Sequence, residues 1–206
     1  MVSHQLPGTI STLAALPSTA AWQHLGLRDG FEVAHFATSN SDGSTRIWGN
    51  SLATEGVTSY AVTYRIVVDE KWNTREATIE TRTRDSVWTT QLARNELGSW
   101  SVNGQDRPDL LGCIDIDLEA SVVTNTLPIH RLTASPGHDE VDAVYVRASE
   151  PLIEVLPQTY AIPAITTPTF SCDYTAPRFE FAAKILYDHA GLVLEYPDLA
   201  TRIPRS

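Results

Sequence analysis

The chain has 206 residues, 42% of them hydrophobic, with 25 acidic against 15 basic side chains and a formal charge of −10. A chain of this length can bury a full core as one large domain, and its acidic balance repels phosphate backbones and anionic lipid surfaces, so nucleic acid is not an expected partner. No uninterrupted run of about 18 apolar residues occurs, so no membrane span is expected.

The first charged side chain is Arg28. A secretory signal needs a positive start and an unbroken apolar run of roughly 7–15 residues, whereas this segment has no early Lys or Arg and is cut by Pro7, Gly8 and Pro17. Residues 1–20 are therefore expected to be a weakly structured pre-domain segment, and 21–206 a single β-barrel or roll domain. Cys113 and Cys172 have no paired spacing, and the sequence has no N-x-[ST] acceptor. Nothing here argues for export, and a cytoplasmic location is expected.

Beyond residue 20, period-2 alternation recurs through most of the chain. FEVAHF (31–36) is the first strand candidate, followed by turn residues SNSDG at 39–43. In SYAVTYRIVVD (59–69), Tyr60, Val62, Tyr64, Ile66 and Val68 point one way and Ala61, Thr63, Arg65 and Val67 the other. TREATIET (74–81) and SVWTTQL (86–92) come next, then the turn RNELG (94–98) and the strand GSWSVNG (98–104). DAVYVRA (142–148) precedes PRFEFAAKILYD, where Phe179, Phe181, Ala183, Ile185 and Tyr187 form one row. DHAG (188–191), with Gly191 free to take a positive φ, turns the chain into GLVLEY (191–196). Many short strands between turns predict an all-β antiparallel sandwich, roll or barrel rather than a βαβ architecture. Apolar groups on both faces, such as Ala61 and Val67 opposite Tyr60 and Ile66, suit a sheet curled round an apolar cavity or covered by another. TYRIVVD (63–69) and AAKILYD (182–188) leave open a pair of similar halves.

Between these strands, Ile114, Ile116 and Leu118 alternate with Cys113, Asp115, Asp117 and Glu119. On a strand the two aspartates share a face, about 6–7 Å apart. They are either solvated on an outer face, or face a cavity, where one is protonated or a cation such as Arg131 or Arg75 lies between them. The six histidines show neither H-x-H nor H-E-x-x-H spacing, and no Walker loop, G-x-S-x-G elbow or G-x-G-x-x-G occurs. No metal site and no cofactor are expected. His138, Asp139 and Glu140 follow Pro136-Gly137 and read as a solvated turn, and Cys113 reads as a small buried thiol.

Gly112-Cys113-Ile114-Asp115-Ile116-Asp117, followed by Thr124-Asn125-Thr126-Leu127-Pro128-Ile129-His130-Arg131-Leu132, resembles the hallmark of the putative glycolipid-binding family, found mainly in bacteria: G-C-x-D-x-D and then T-N-T-L-P-I-R-R-L. The likeness extends to Trp22, Gly30-Phe31-Glu32, Tyr64 to Asp69, Trp72, Thr74-Arg75, Gly98 to Trp100, and Asp188 to Tyr196 followed by Pro197. His130 departs from the family's usual Arg. The resemblance implies a β-roll or barrel of two similar halves round an apolar cavity, with glycolipid binding proposed for the family from its likeness to lipoprotein carriers.

Such a cavity would take an amphiphilic small molecule or apolar metabolite, its tail inside and its head at the mouth. The candidate mouth residues are Asp115, Asp117, Asn125 and Arg131, with Trp72 and Arg75 as a second cluster. Equally, Asn125, Thr126 and Pro128 could build a turn, with Arg131 a structural counter-ion of Asp115 or Asp117. A second class of function is a cofactor-free enzyme opening, hydrolysing or cyclising an apolar metabolite with Asp115, Asp117, Arg131 and His130. A third is a structural protein whose interior is filled by its own aromatic side chains. Sequence alone leaves these three open, and with them the oligomeric state.

Overall fold

A computed structural model describes residues 13–133 and 137–204. Among the described residues, fifteen strands form one sheet. The first eight are β1 (Thr19–His24), β2 (Asp29–Thr38), β3 (Thr45–Glu55), β4 (Thr58–Val68), β5 (Thr74–Thr83), β6 (Val87–Arg94), β7 (Trp100–Val102) and β8 (Gln105–Asp106). After β9 (Asp115–Leu118) and the α-helix α1 (Thr126–Leu132) come β10 (His138–Val146), β11 (Ile153–Ala161), β12 (Thr169–Ala176), β13 (Phe181–Asp188), β14 (Val193–Tyr196) and β15 (Ala200–Arg202). The expected all-β class holds.

The order across the sheet is β8-β7-β6-β5-β4-β3-β2-β1-β15-β14-β13-β12-β11-β10-β9. Two meanders therefore run outward from the centre, where β1 pairs with β15. All neighbours are antiparallel except β9 and β10, which pair in parallel from Ala143↔Asp115 to Val146↔Leu118. A parallel pair needs a crossover, and here it contains α1. Strand alternation predicts no helical crossover, and this one is the exception. His138, Asp139 and Glu140, which read as a turn in the sequence, open β10 instead, opposite Ala161, Tyr160 and Thr159. Of the expected pre-domain segment, residues 1–12 lie outside the described residues. Ala14 N–H donates to His189 O at 2.8 Å, and Leu13 and Leu16 rest against the core.

Alternation explains the curl. Along β3, Thr45, Ile47, Gly49, Ser51 and Ala53 are buried while their neighbours are exposed, and β4 buries Tyr60, Val62, Tyr64, Ile66 and Val68. This inward row needs an interior to fill, and the crossover supplies it: every residue from 120 to 129 is buried. Removing Val122, Val123, Leu127 and Ile129 from water is worth about 1.5–3 kcal/mol apiece. A helix of seven residues is marginal alone, so α1 owes its existence to this burial. Pro128 fits because it stands in the first turn, where a backbone N–H has no helical partner.

The two meanders share local devices. Trp22 Nε1 and Arg202 Nε both donate to Val193 O, at 2.8 and 3.1 Å, from cross-strand partners on β1 and β15. Trp100 Nε1 and Arg94 Nε donate to Cys113 O at 2.9 and 3.2 Å, again from a cross-strand pair. Asp69, after β4, accepts from the N–H groups of Lys71 and Asn73, and Asp188, ending β13, from those of Ala190 and Leu192, all four at 2.9 Å. The similarity of TYRIVVD and AAKILYD thus has a structural counterpart at both strand ends.

Candidate functional site

β9 and α1 place the hallmark residues inside the roll, and the two aspartates of β9 meet different partners. Asp115 is 1% exposed, and Arg131, in the last turn of α1, approaches its Oδ2 with Nη2 at 2.5 Å. Burial raises the pKa of Asp115, and the Arg131 guanidinium works against that rise. Beside this pair, the His130 ring stacks on Trp72 with centroids 3.6 Å apart, and His130 Nε2 lies 2.9 Å from Ala190 O. Burial pushes the His130 pKa down to about 4, so the ring is neutral near pH 7. Arg75 is elsewhere, paired at 2.8 Å with Asp69 in the turn before β5.

Asp117 belongs to the other end of the crossover. Gln158 Nε2 and Thr124 Oγ1 donate to its carboxylate at 2.6 and 3.1 Å. Burial nonetheless raises its pKa to about 6, with the Glu119 carboxylate adding to the rise and the two hydrogen bonds opposing it. Asn125 precedes α1 and donates through Nδ2 to Tyr160 Oη at 3.1 Å.

Asp117 and Asn125 line a cavity of about 300 Å³. Its walls are largely apolar and aromatic, with Tyr145, Tyr174, Tyr196, Phe181, Leu118 and Leu156 prominent. His24, Ser121 and Val122 also line it, as do the charged Arg28, Glu119 and Arg147, which are half-buried, and the exposed Glu55. Behind it, Glu32 is fully buried and accepts hydrogen bonds from Tyr64 Oη at 2.7 Å, Val122 N at 2.8 Å and Ser121 Oγ. Asp115, Arg131, His130, Trp72 and Arg75 do not line this cavity. Sequence reasoning thus joins residues from two ends of the crossover and misses His24, Glu32 and the aromatic wall. One signal bears on Glu32: it shares a strand face with Ala34 and Phe36, both buried.

Among the described residues, no group of three or more His, Cys, Asp or Glu could hold a metal ion, and no helix is long and apolar enough to cross a membrane. A family model described as putative glycolipid-binding matches residues 19–202. The chain belongs to this family. In this member of the putative glycolipid-binding family, the hallmark maps onto β9 and the buried crossover. No curated protein matches the chain. Among solved structures, a DUF1089 family protein from Pseudomonas aeruginosa is similar, with 24% identity, a TM-score of 0.65, and coverage of 98% of this chain and 100% of that one. A β-barrel-like protein of the DUF1849 family from Brucella abortus has 11% identity and a TM-score of 0.56, covering 93% of this chain and 96% of that one. At these identities the likeness is one of fold.

Proposed function

We propose that the chain binds an amphiphilic or hydrophobic small molecule, glycolipid-like in character, in the cavity lined by Asp117 and Asn125. The supporting observation is the cavity itself: about 300 Å³, open to solvent, aromatic-walled, with a few convergent polar groups. Its size lies at the small end of the usual range for ligand sites of roughly 300–1,000 Å³, so it suits one end of an amphiphile. The family's description points the same way.

The alternative of a cofactor-free enzyme using Asp115 and Asp117 with Arg131, and His130 to exchange protons, has less support, because Asp117 lines the cavity whereas Asp115, Arg131 and His130 do not. Isothermal titration calorimetry against alkyl glycosides, fatty acids and alkanes, after organic extraction of the purified protein, tests the proposal. Saturable binding that is weakened by filling the cavity with Ala176→Trp supports it. Absence of saturable binding across the panel refutes it.

A further inference from the structure

The outer face of the sheet carries a second depression, which shares no lining residue with the cavity. It is open, of about 700 Å³, and lies on the side of β3, β4 and β5 opposite their buried rows. Arg46, Trp48 and Asn50 reach it from β3, Thr63 and Arg65 from β4, and Glu80 from β5. Trp48 is 42% exposed, a large apolar ring amid polar neighbours. Its cross-strand partner on β2, His35, stacks on it with centroids 5.5 Å apart, and His35 Nδ1 lies 2.9 Å from Thr19 Oγ1. The indole is thus braced from that side.

On the other side, the partner of Trp48 on β4 is Arg65, and Arg46 stands diagonal to Arg65. Diagonal neighbours have a spacing of roughly 7–8 Å, which long side chains span. Arg75, Arg131, Arg147 and Arg178 each meet a carboxylate. The guanidinium groups of Arg46 and Arg65 have neither a hydrogen bond nor an ion pair among the described residues. Register explains this: Ala37 and Val67 stand opposite Arg46, and Trp48 and Thr78 opposite Arg65. Glu76 and Glu80 are only diagonal to Arg65 and form no ion pair with it, and Glu80 lies 3.8 Å from Arg82 instead. Asn50 Oδ1 accepts from Thr63 Oγ1 at 2.9 Å, which leaves the Asn50 amide nitrogen to donate elsewhere.

In a chain of net charge −10, two unpaired guanidinium groups beside an exposed indole form a local exception that complements an anion. A guanidinium takes a carboxylate through two parallel hydrogen bonds, an indole face covers the apolar face of a sugar ring, and an amide donates to a hydroxyl. We propose that this outer face binds an acidic saccharide built of hexuronate units, with a pyranose ring on Trp48 and its carboxylate on Arg46 and Arg65. This site does not rest on the amphiphile-binding reading of the cavity.

Trigalacturonate and its fully methyl-esterified form share rings and hydroxyls and differ in charge. Heteronuclear NMR follows the indole N–H signal of Trp48, assigned by its loss in Trp48→Phe, a conservative change at an exposed position. Trigalacturonate should move this signal saturably, and the ester should bind at least about tenfold more weakly, the scale of one charge-assisted hydrogen bond. Arg65→Gln should weaken the acid by about tenfold and reduce the salt dependence of its binding. Equal affinity for the ester would overturn the acidic-saccharide assignment, as would an unmoved Trp48 signal in the presence of the acid. A signal that moves on protein dilution alone, with no further shift on adding the acid, would also overturn it and assign the face to contact between copies of the chain. The comparison of acid and ester uses the unaltered protein and so does not depend on Arg65→Gln folding.

Discussion

The two ends of the buried crossover are built from neighbouring residues yet have opposite characters. At the α1 C-terminus, Asp115 is paired with Arg131 and Trp72 stacks on His130. At its N-terminus, Asp117 has neutral hydrogen-bond donors and an opening to solvent, and His24 has no hydrogen-bond partner among the described residues. Two residues along one strand thus separate a carboxylate paired with a cation from one held by neutral donors. What distinguishes them is whether a cation fills the space in front of the carboxylate.

The sharpest way to break the contrast is to remove that cation. Arg131→Met should cost about 3–5 kcal/mol in urea denaturation, because it leaves Asp115 buried without its counter-ion. Asp115→Asn together with Arg131→Met should recover much of the loss, since the charge and its partner are then removed together.

A smaller effect is expected at the open end. The pKa of Asp117, about 6 in the fold, stands above the 3.8 of a free carboxyl, so the folded chain holds this proton more tightly than the unfolded one. Its contribution to stability is full below pH 3.8 and is lost as pH rises through 6. Asp117→Asn should therefore gain stability relative to the unaltered chain between pH 4 and pH 7. Parallel urea melts at those two values measure the difference, and a constant offset would contradict the assignment.

His130 has the opposite sign. Its pKa of about 4 lies below the ordinary 6.5, so its contribution is present above pH 6.5 and is lost as pH falls towards 4. His130→Phe retains an aromatic ring beside Trp72 and should flatten the decline of Tm over that interval. The smallest effect concerns the thiols. Burial pushes both Cys113 and Cys172 up to about 12, so iodoacetamide at pH 8 should leave the folded protein almost unlabelled and modify both residues in urea.

Strands are legible because Tyr60 to Val68 or Phe181 to Tyr187 show their inward side by simple alternation. The helix is not, since Thr126 to Leu132 is too short for a 3.6-residue period to declare itself and contains Pro128. The partition of the hallmark depends on non-local partners: Gln158 on β11 faces Asp117, and Tyr64 on β4 faces Glu32, 32 residues away. β2 shows the difficulty most plainly. Phe31 and Val33 are the more hydrophobic neighbours yet are 54% and 38% exposed, while Glu32 is turned fully inward. FEVAHF offers two apolar faces, and without Ser121 and Val122 known to lie inside there is no decisive reason to bury the one that carries the glutamate.

The junction of the two meanders has a consequence for how the chain reaches this state. β1 sits between β2 and β15, and its Trp22 anchors to Val193, 171 residues further along the chain. Until that distant segment has emerged and docked, one side of β1 presents unpaired backbone groups, an invitation to pair with another chain. Closing so long a loop is also slow. Refolding should accordingly be limited by this seam and become less efficient as protein concentration rises, with the risk of aggregation concentrated in the interval before the two meanders join.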